Sequence, residues 1–219
     1  HEHNILVVED GAQSVPHSKV DVIERDVDFL AFSGHKILGP TGIGVLYIKE
    51  SLLDDFDVVE FGGGMNESFD SVEEVYLKSS PARYEAGTPH IAGAIGLSAA
   101  IDYINKIGID NINSYEINLR KYLIEKLEKI NYIDIINYEA DSAIVSFNVV
   151  NIFSQDIAYY LNKYNVCVRA GNHCAKLVKN VTGVTNSVRI SLAFYNTEEE
   201  IDEVVNLLSD YEKIRNEMI

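Results

Sequence analysis

Two short segments set reactive side chains directly behind runs of apolar residues. Ile5-Leu6-Val7-Val8 leads into Glu9-Asp10-Gly11-Ala12-Gln13, and Phe29-Leu30-Ala31-Phe32 leads into Ser33-Gly34-His35-Lys36. Short continuous apolar runs that end in a turn predict strands buried on both faces. In open α/β sheets, ligands bind beyond the carboxyl ends of the strands. Asp10 and Lys36 therefore bring a carboxylate and an amine toward one crevice, on two consecutive strand ends. A lysine in such a place can form a Schiff base with a carbonyl compound when its amine is neutral. Ser33 and His35 add donors of the kind a phosphate needs. Each segment also has an ordinary reading. Asp-Gly is a common way out of a strand, and a lysine after a turn usually faces water.

Two further clusters lie in the second half. Arg169-Ala170-Gly171-Asn172-His173-Cys174 sets a cysteine beside a histidine and near an arginine, surroundings that favour a nucleophilic thiolate. The alternatives are an inert thiol or a zinc site built from Cys167, His173 and Cys174. That spacing matches no common structural zinc pattern, so no metal is expected. Arg189 stands inside the alternating segment Ser187-Val188-Arg189-Ile190-Ser191-Leu192. Its guanidinium suits a substrate carboxylate if it faces a cleft, and a salt bridge to one of the many acids if it does not.

The elements that must position these residues are legible in outline. A third strand is expected at Gly44–Ile48, after the turn Gly39-Pro40-Thr41-Gly42, so a parallel or mixed sheet covered by helices should occupy the first hundred residues. Gly62-Gly63-Gly64 and the polar stretch through Ser80 read as a long exposed loop. The apolar run from Ile91 to Ile101 reads as a buried helix continuing to Lys106 and ending at Gly108. A second helix begins near Asp110 and carries Ile112, Leu119, Leu123, Leu127 and Ile130 on one face. Strands are expected at Ala143–Val149, Asn165–Arg169 and Ser187–Leu192, with a helix at Gln155–Tyr164 capped by Ser154. Thr197 and Glu200 form a capping box ahead of the last helix.

The whole chain has 219 residues, 47% apolar and 24% charged, which fits a folded soluble protein. Its 18 Lys and Arg stand against 34 Asp and Glu, a formal net charge of −16. A surface that acidic argues against nucleic acid or an anionic membrane as partner. No apolar run reaches the roughly 18 residues of a bilayer span. Two cysteines are too few for a disulfide framework, and the first residues are no secretion signal, so a cytoplasmic location is expected.

Taken together the clusters resemble one family, the aminotransferase class V enzymes that use pyridoxal 5′-phosphate, and within it the Suf-type (group II) cysteine desulfurases and selenocysteine lyases. The matching segments, in family order, are Val8–Gln13, Phe32–Gly44, Arg83-Tyr84-Glu85-Ala86-Gly87-Thr88-Pro89, Val168–Ala175 and Arg189–Asn196. The resemblance implies an α/β fold, the carboxyl-terminal half of a fold-type I pyridoxal phosphate-dependent transferase. Residues 1–106 would be the later part of the large cofactor domain and 107–219 the small domain. It implies Lys36 as the Schiff-base lysine that then moves the substrate Cα proton, with Asp10 on the pyridine nitrogen and Gln13 on the ring hydroxyl. Ser33 and His35 would hold the phosphate, and Thr88 would reach the phosphate of a partner subunit in a homodimer. Arg189 would grip the substrate carboxylate with Arg169 nearby. Cys174 would take sulfur from L-cysteine as a persulfide and pass it to a Suf-type acceptor protein for iron–sulfur cluster assembly.

Family chains are about twice this length. The part before His1 supplies them with a phosphate-binding turn, a ring-stacking histidine and an asparagine near the ring oxygen. The resemblance thus implies a truncated chain, incomplete as a catalyst by itself. Ala170 and Asn172 replace the threonine and histidine of many Suf-type sequences. Two other readings stand beside the desulfurase: a selenocysteine lyase or other class V enzyme, for which transamination needs no thiol, and a folded fragment without catalysis.

Overall fold

The computed structural model describes residues 1–71, 74–79 and 81–218. The chain divides into two compact units, His1–Ile109 and Asp110–Ile219. Among the described residues no helix is long and apolar enough to cross a membrane.

The first unit is built on a three-stranded mixed sheet in the order β1-β2-β3, with β1 at Val8–Asp10, β2 at Phe29–Ser33 and β3 at Gly44–Ile48. β1 runs parallel to β2, with Asp10 opposite Ala31, and β3 returns antiparallel with Gly44 opposite Ser33. Val27 and Leu30 are buried beneath it. The expected double-sided burial of the first strand is not met. Regular strand structure starts only at Val8, and Ile5 is 64% and Val8 70% exposed. β1 is the edge of this sheet, and an apolar run is buried on both faces only where other elements cover both.

The stretch after Gly62–Gly64 is not a plain loop. It holds an antiparallel hairpin of β4 (Asn66–Phe69) and β5 (Val75–Leu77), with Met65 buried at its base. Residues 72, 73 and 80 of the expected loop lie outside the described residues. The helix α1 (Ile91–Ile107) ends at Gly108, whose φ of 91° suits glycine. It is not buried throughout, as its apolar run suggested. Gly93, Leu97 and Ala100 form the buried stripe, while Ile91 and Ile95 face outward.

In the second unit α2 (Ile109–Leu127) buries Ile112, Leu119, Leu123 and Leu127. Leu119, Leu123 and Leu127 belong to a core shared with an antiparallel sheet of order β6-β7-β9-β8, comprising Ile133–Ile135, Ile144–Val149, Ser187–Ser191 and Arg169–Gly171. Along β7 the burial alternates, Val145, Phe147 and Val149 inward, as period-2 geometry requires of a sheet with one covered face. α3 (Ser154–Asn162), α5 (Glu198–Leu208) and α6 (Tyr211–Glu217) add Ile157, Tyr160, Leu161, Ile201, Leu208 and Ile214 to the same core. The short α4 spans Lys179–Thr182. The capping box of α5 is present in both directions.

Two boundaries move. Phe153, not Ser154, holds the cap position of α3, and the Ser154 hydroxyl bonds to Gln155 instead of a backbone N–H. The strand expected at Asn165–Arg169 lies instead at Arg169–Gly171. Residues 163–166 finish α3, with Asn165 left-handed at φ 62° and the Val166 N–H on the Leu161 carbonyl.

Candidate active site

In the first unit the parallel pairing of β1 with β2 brings the two expected strand ends side by side. Asp10 stands opposite Ala31, and the Gly11 N–H donates to the Ala31 carbonyl at 2.8 Å. One Asp10 carboxylate oxygen accepts the Ala12 N–H at 3.0 Å, and the other has no partner among the described residues. Gln13 follows, exposed. Two residues past Ala31, Ser33 leads into a 3-10 turn over Gly34–Ile37, which carries His35 and Lys36 exposed above buried Gly34 and Ile37. The Ser33 hydroxyl caps nothing, and Lys36 has no partner among the described residues.

Backbone contact holds this turn in place. The Gly39 N–H donates to the Gly34 carbonyl at 2.9 Å, with Leu38 left-handed between them at φ 66°. A Cβ on Gly39 would lie 2.8 Å from that carbonyl oxygen, and one on Gly44 2.8 Å from the Phe32 oxygen. Gly39 and Gly44 are therefore a packing requirement of the loop that presents Lys36. Thr88 is exposed two residues before His90, whose ring lies near Gly42. No contact joins Thr88 to Asp10 or Lys36 among the described residues.

The second unit gathers Arg169, His173, Cys174 and Arg189. β8 pairs with β9 so that Arg169 lies directly opposite Arg189. Like charges in that register oppose pairing, so the strands bring two guanidiniums together against local preference. The loop after β8 turns through two successive left-handed residues, His173 at φ 53° and Cys174 at φ 62°. Such conformations are uncommon outside glycine and gather at functional sites. The Cys174 thiol receives an N–H from Arg169 at 3.0 Å, and the Cys174 N–H donates to the Asn172 side-chain oxygen at 3.3 Å. Arg189 Nε is buried with no hydrogen-bond partner among the described residues. Burial, and then the charge of Arg169, lower the Arg189 pKa, opposed by the nearby thiol.

Ser187 is the member of this cluster that sequence reasoning passed over, while His173 enters it as a neighbour of the thiol. His173 Nε2 lies 2.9 Å from the Ser187 hydroxyl, while Nδ1 is buried and unpartnered. Ser187 is an ordinary strand residue in the sequence; only its pairing with Gly171 brings it to the loop. Burial, then Arg189 and Arg169, hold the His173 imidazole below its usual range. An unfolded chain binds that proton at the ordinary value of 6.5 and the folded one does not until lower pH. The contribution of His173 to stability is therefore fully present above pH 6.5 and is lost as pH falls through the lower folded value. Urea unfolding at stepped pH is expected to show a steeper decline below pH 6.5 for the unaltered chain than for His173→Asn; equal slopes would refute this.

The donor set fits pyridoxal 5′-phosphate. An unpaired carboxylate oxygen suits a pyridinium N–H, a free amine suits the aldehyde, and a free hydroxyl beside an imidazole suits the phosphate. Residues 1–204 match the aminotransferase class V family. The chain belongs to that family, which is pyridoxal phosphate-dependent. Within the family its similarity is to cysteine desulfurases. A probable cysteine desulfurase of Halalkalibacterium halodurans is 43% identical over 202 residues, covering 92% of this chain and 50% of the relative. A cysteine desulfurase of Salmonella agona is 42% identical over 204 residues, covering 93% and 50%. The crystal structure of the cysteine desulfurase CsdA from Escherichia coli superposes with a TM-score of 0.92 at 35% identity, over all of this chain and 54% of that one. An apo cysteine desulfurase from Thermococcus onnurineus NA1 gives 0.91 at 38% identity, over 98% and 54%. The fold expected from the resemblance is the one these structures share. The chain spans about half the length of the curated relatives it matches.

Proposed function

We propose that this chain carries the lysine and the cysteine of a pyridoxal phosphate-dependent cysteine desulfurase of the Suf type, which acts as a homodimer in the cytoplasm. The observation that supports it most is the arginine-held thiol: Cys174 on a strained loop, hydrogen-bonded by Arg169 beside an Arg189 whose Nε is buried and unpaired. Asp10, Gln13, Ser33 and His35 would hold the cofactor, with Thr88 toward the partner subunit's phosphate. When bound, the cofactor supplies an electron sink for the carbon left behind as sulfur departs.

The residues then divide the work. Arg189 takes the substrate carboxylate in a fork of N–H donors, with Arg169 close by. Lys36 would hold the aldehyde of the cofactor and would carry the proton from the substrate Cα. Cys174 attacks the substrate sulfur as a thiolate. An S–S bond forms and the substrate C–S bond breaks, its electron pair staying on carbon, where a proton completes alanine. The products are L-alanine and a persulfide on Cys174, with no outside oxidant.

Incubation of the pyridoxal phosphate-loaded protein with L-cysteine, then alkylation and mass spectrometry, tests this reading. One added sulfur on Cys174 with equimolar alanine is expected. 3-Mercaptopyruvate without that sulfur would overturn it in favour of a class V aminotransferase, and pyruvate with sulfide and ammonia in favour of a class V lyase. Faster turnover of selenocysteine that survives Cys174→Ala would favour a selenocysteine lyase.

A further inference from the structure

We propose that the surface directly after Cys174, formed by Lys176, Leu177, Lys179 and Val181, is a docking site for a protein that presents its thiol among acidic side chains. The proposal rests on the desulfurase reading for the sulfur that is passed, and it concerns the chemistry of the receiver. Residues 157–197 contain no Asp or Glu, while all 34 acids of the chain lie outside that window. The window holds five cations, Lys163, Arg169, Lys176, Lys179 and Arg189. Lys163 is engaged elsewhere, on the Tyr159 ring and the Glu217 carbonyl. The other four form no salt bridge among the described residues. A chain of net charge −16 therefore keeps an acid-free stretch with four unpaired cations on either side of its arginine-held thiol.

The same segment is apolar at its crest. Leu177 is 73% and Val181 88% exposed, in a turn closed by the Asn180 and Val181 N–H groups on the Leu177 and Val178 carbonyls. Lys176 and Lys179 line a crevice with Asn172 and His173, which sets both residues beside the loop of Cys174. That crevice holds about 20 Å³, room for little more than one water, so a small ligand does not fit there. Exposed apolar side chains rimmed by unpaired cations suit a protein face with an acidic rim.

In the transfer the receiver's thiolate attacks the outer sulfur of the Cys174 persulfide. A new S–S bond forms on the receiver, the Cys174 S–S bond breaks, and Cys174 departs as a thiolate. The proton lost by the receiver's thiol balances the one regained by Cys174.

Three synthetic peptides of one frame, each with a single cysteine flanked by aspartates, serines or lysines, test this without any turnover. In a Cys167→Ser background, Cys174 is converted to its mixed disulfide with thionitrobenzoate. Release of thionitrobenzoate by each peptide is measured, divided by that peptide's rate on a small neutral disulfide. The net charge of the whole chain favours the lysine peptide; the docking surface favours the aspartate peptide. An aspartate-over-lysine preference of about tenfold is expected at 0.01 M salt, shrinking as the screening length falls. Lys176→Glu with Lys179→Glu should reverse the order. Equal rates, or the lysine peptide fastest, would overturn the proposal. So would an aspartate preference that survives the double variant, since it would then belong to Arg169 and Arg189. The exchange needs neither pyridoxal phosphate nor L-cysteine, so its failure is separate from failure of the desulfurase reading.

Discussion

A Lys36→Ala variant is expected to lose both the visible absorption that pyridoxal 5′-phosphate gains on condensing with a protein amine and the turnover of L-cysteine. The loss of rate should be about a thousandfold or more, the scale on which removal of a covalent group is felt. Misfolding would not explain that loss. Lys36 is exposed, has no partner among the described residues, and stands in a turn whose geometry comes from Gly34, Ile37 and Gly39. Exposed substitutions of that kind shift stability by within about 0.5 kcal/mol, so circular dichroism and the unfolding midpoint should match the unaltered chain. The other lysines provide the internal control, because a band that persists in Lys36→Ala would assign the amine elsewhere and refute the role given to this residue. A band in neither protein would mean that cofactor binding needs parts of the matched relatives that this chain, at half their length, does not span.

How much of this was legible in the sequence depends on whether the signal was local. The Thr197–Glu200 capping box and the end of α1 at Gly108 were readable because a cap is made by residues three or four apart. The alternation of β7 was readable because period 2 is printed in the residues themselves. The burial of Ile5–Val8 was not, since exposure at a sheet edge depends on what covers it and not on the run of apolar residues. β8 was placed too early for a similar reason: nothing in Asn165–Arg169 reveals that the left-handed Asn165 still belongs to the close of α3. For the candidate site, every reactive side chain could be named from its neighbours. The facing of Arg169 and Arg189 and the contact of Ser187 with His173 come from strand register, which joins residues 14 to 20 apart. Register is a tertiary choice.

That register rests on β7, which makes Phe147 the residue whose loss should cost the second unit most. Its side chain is wholly buried, and its backbone is opposite Ile135 on β6 and Val188 on β9. Phe147→Ala removes a ring that the surrounding Val145, Val188 and Leu161 cannot replace without moving. Burial of this kind costs about 3–5 kcal/mol on truncation, through lost transfer energy and the cavity left behind. Against a domain stability of about 5–15 kcal/mol, a fifth or more disappears. The effect should reach the site, because Val188 sits between Ser187 and Arg189 on the strand that β7 supports. Urea unfolding is the direct measure, with Phe147→Leu as the control that keeps most of the volume and should lose under half as much. A second readout separates packing from function. If the strand pairing positions Cys174, Phe147→Ala should also make the Cys174 thiol react at a changed rate with a neutral disulfide, at a temperature where the unit is still folded. An unchanged rate, with the stability loss present, would mean that the loop holds its geometry through Arg169 and Asn172 alone.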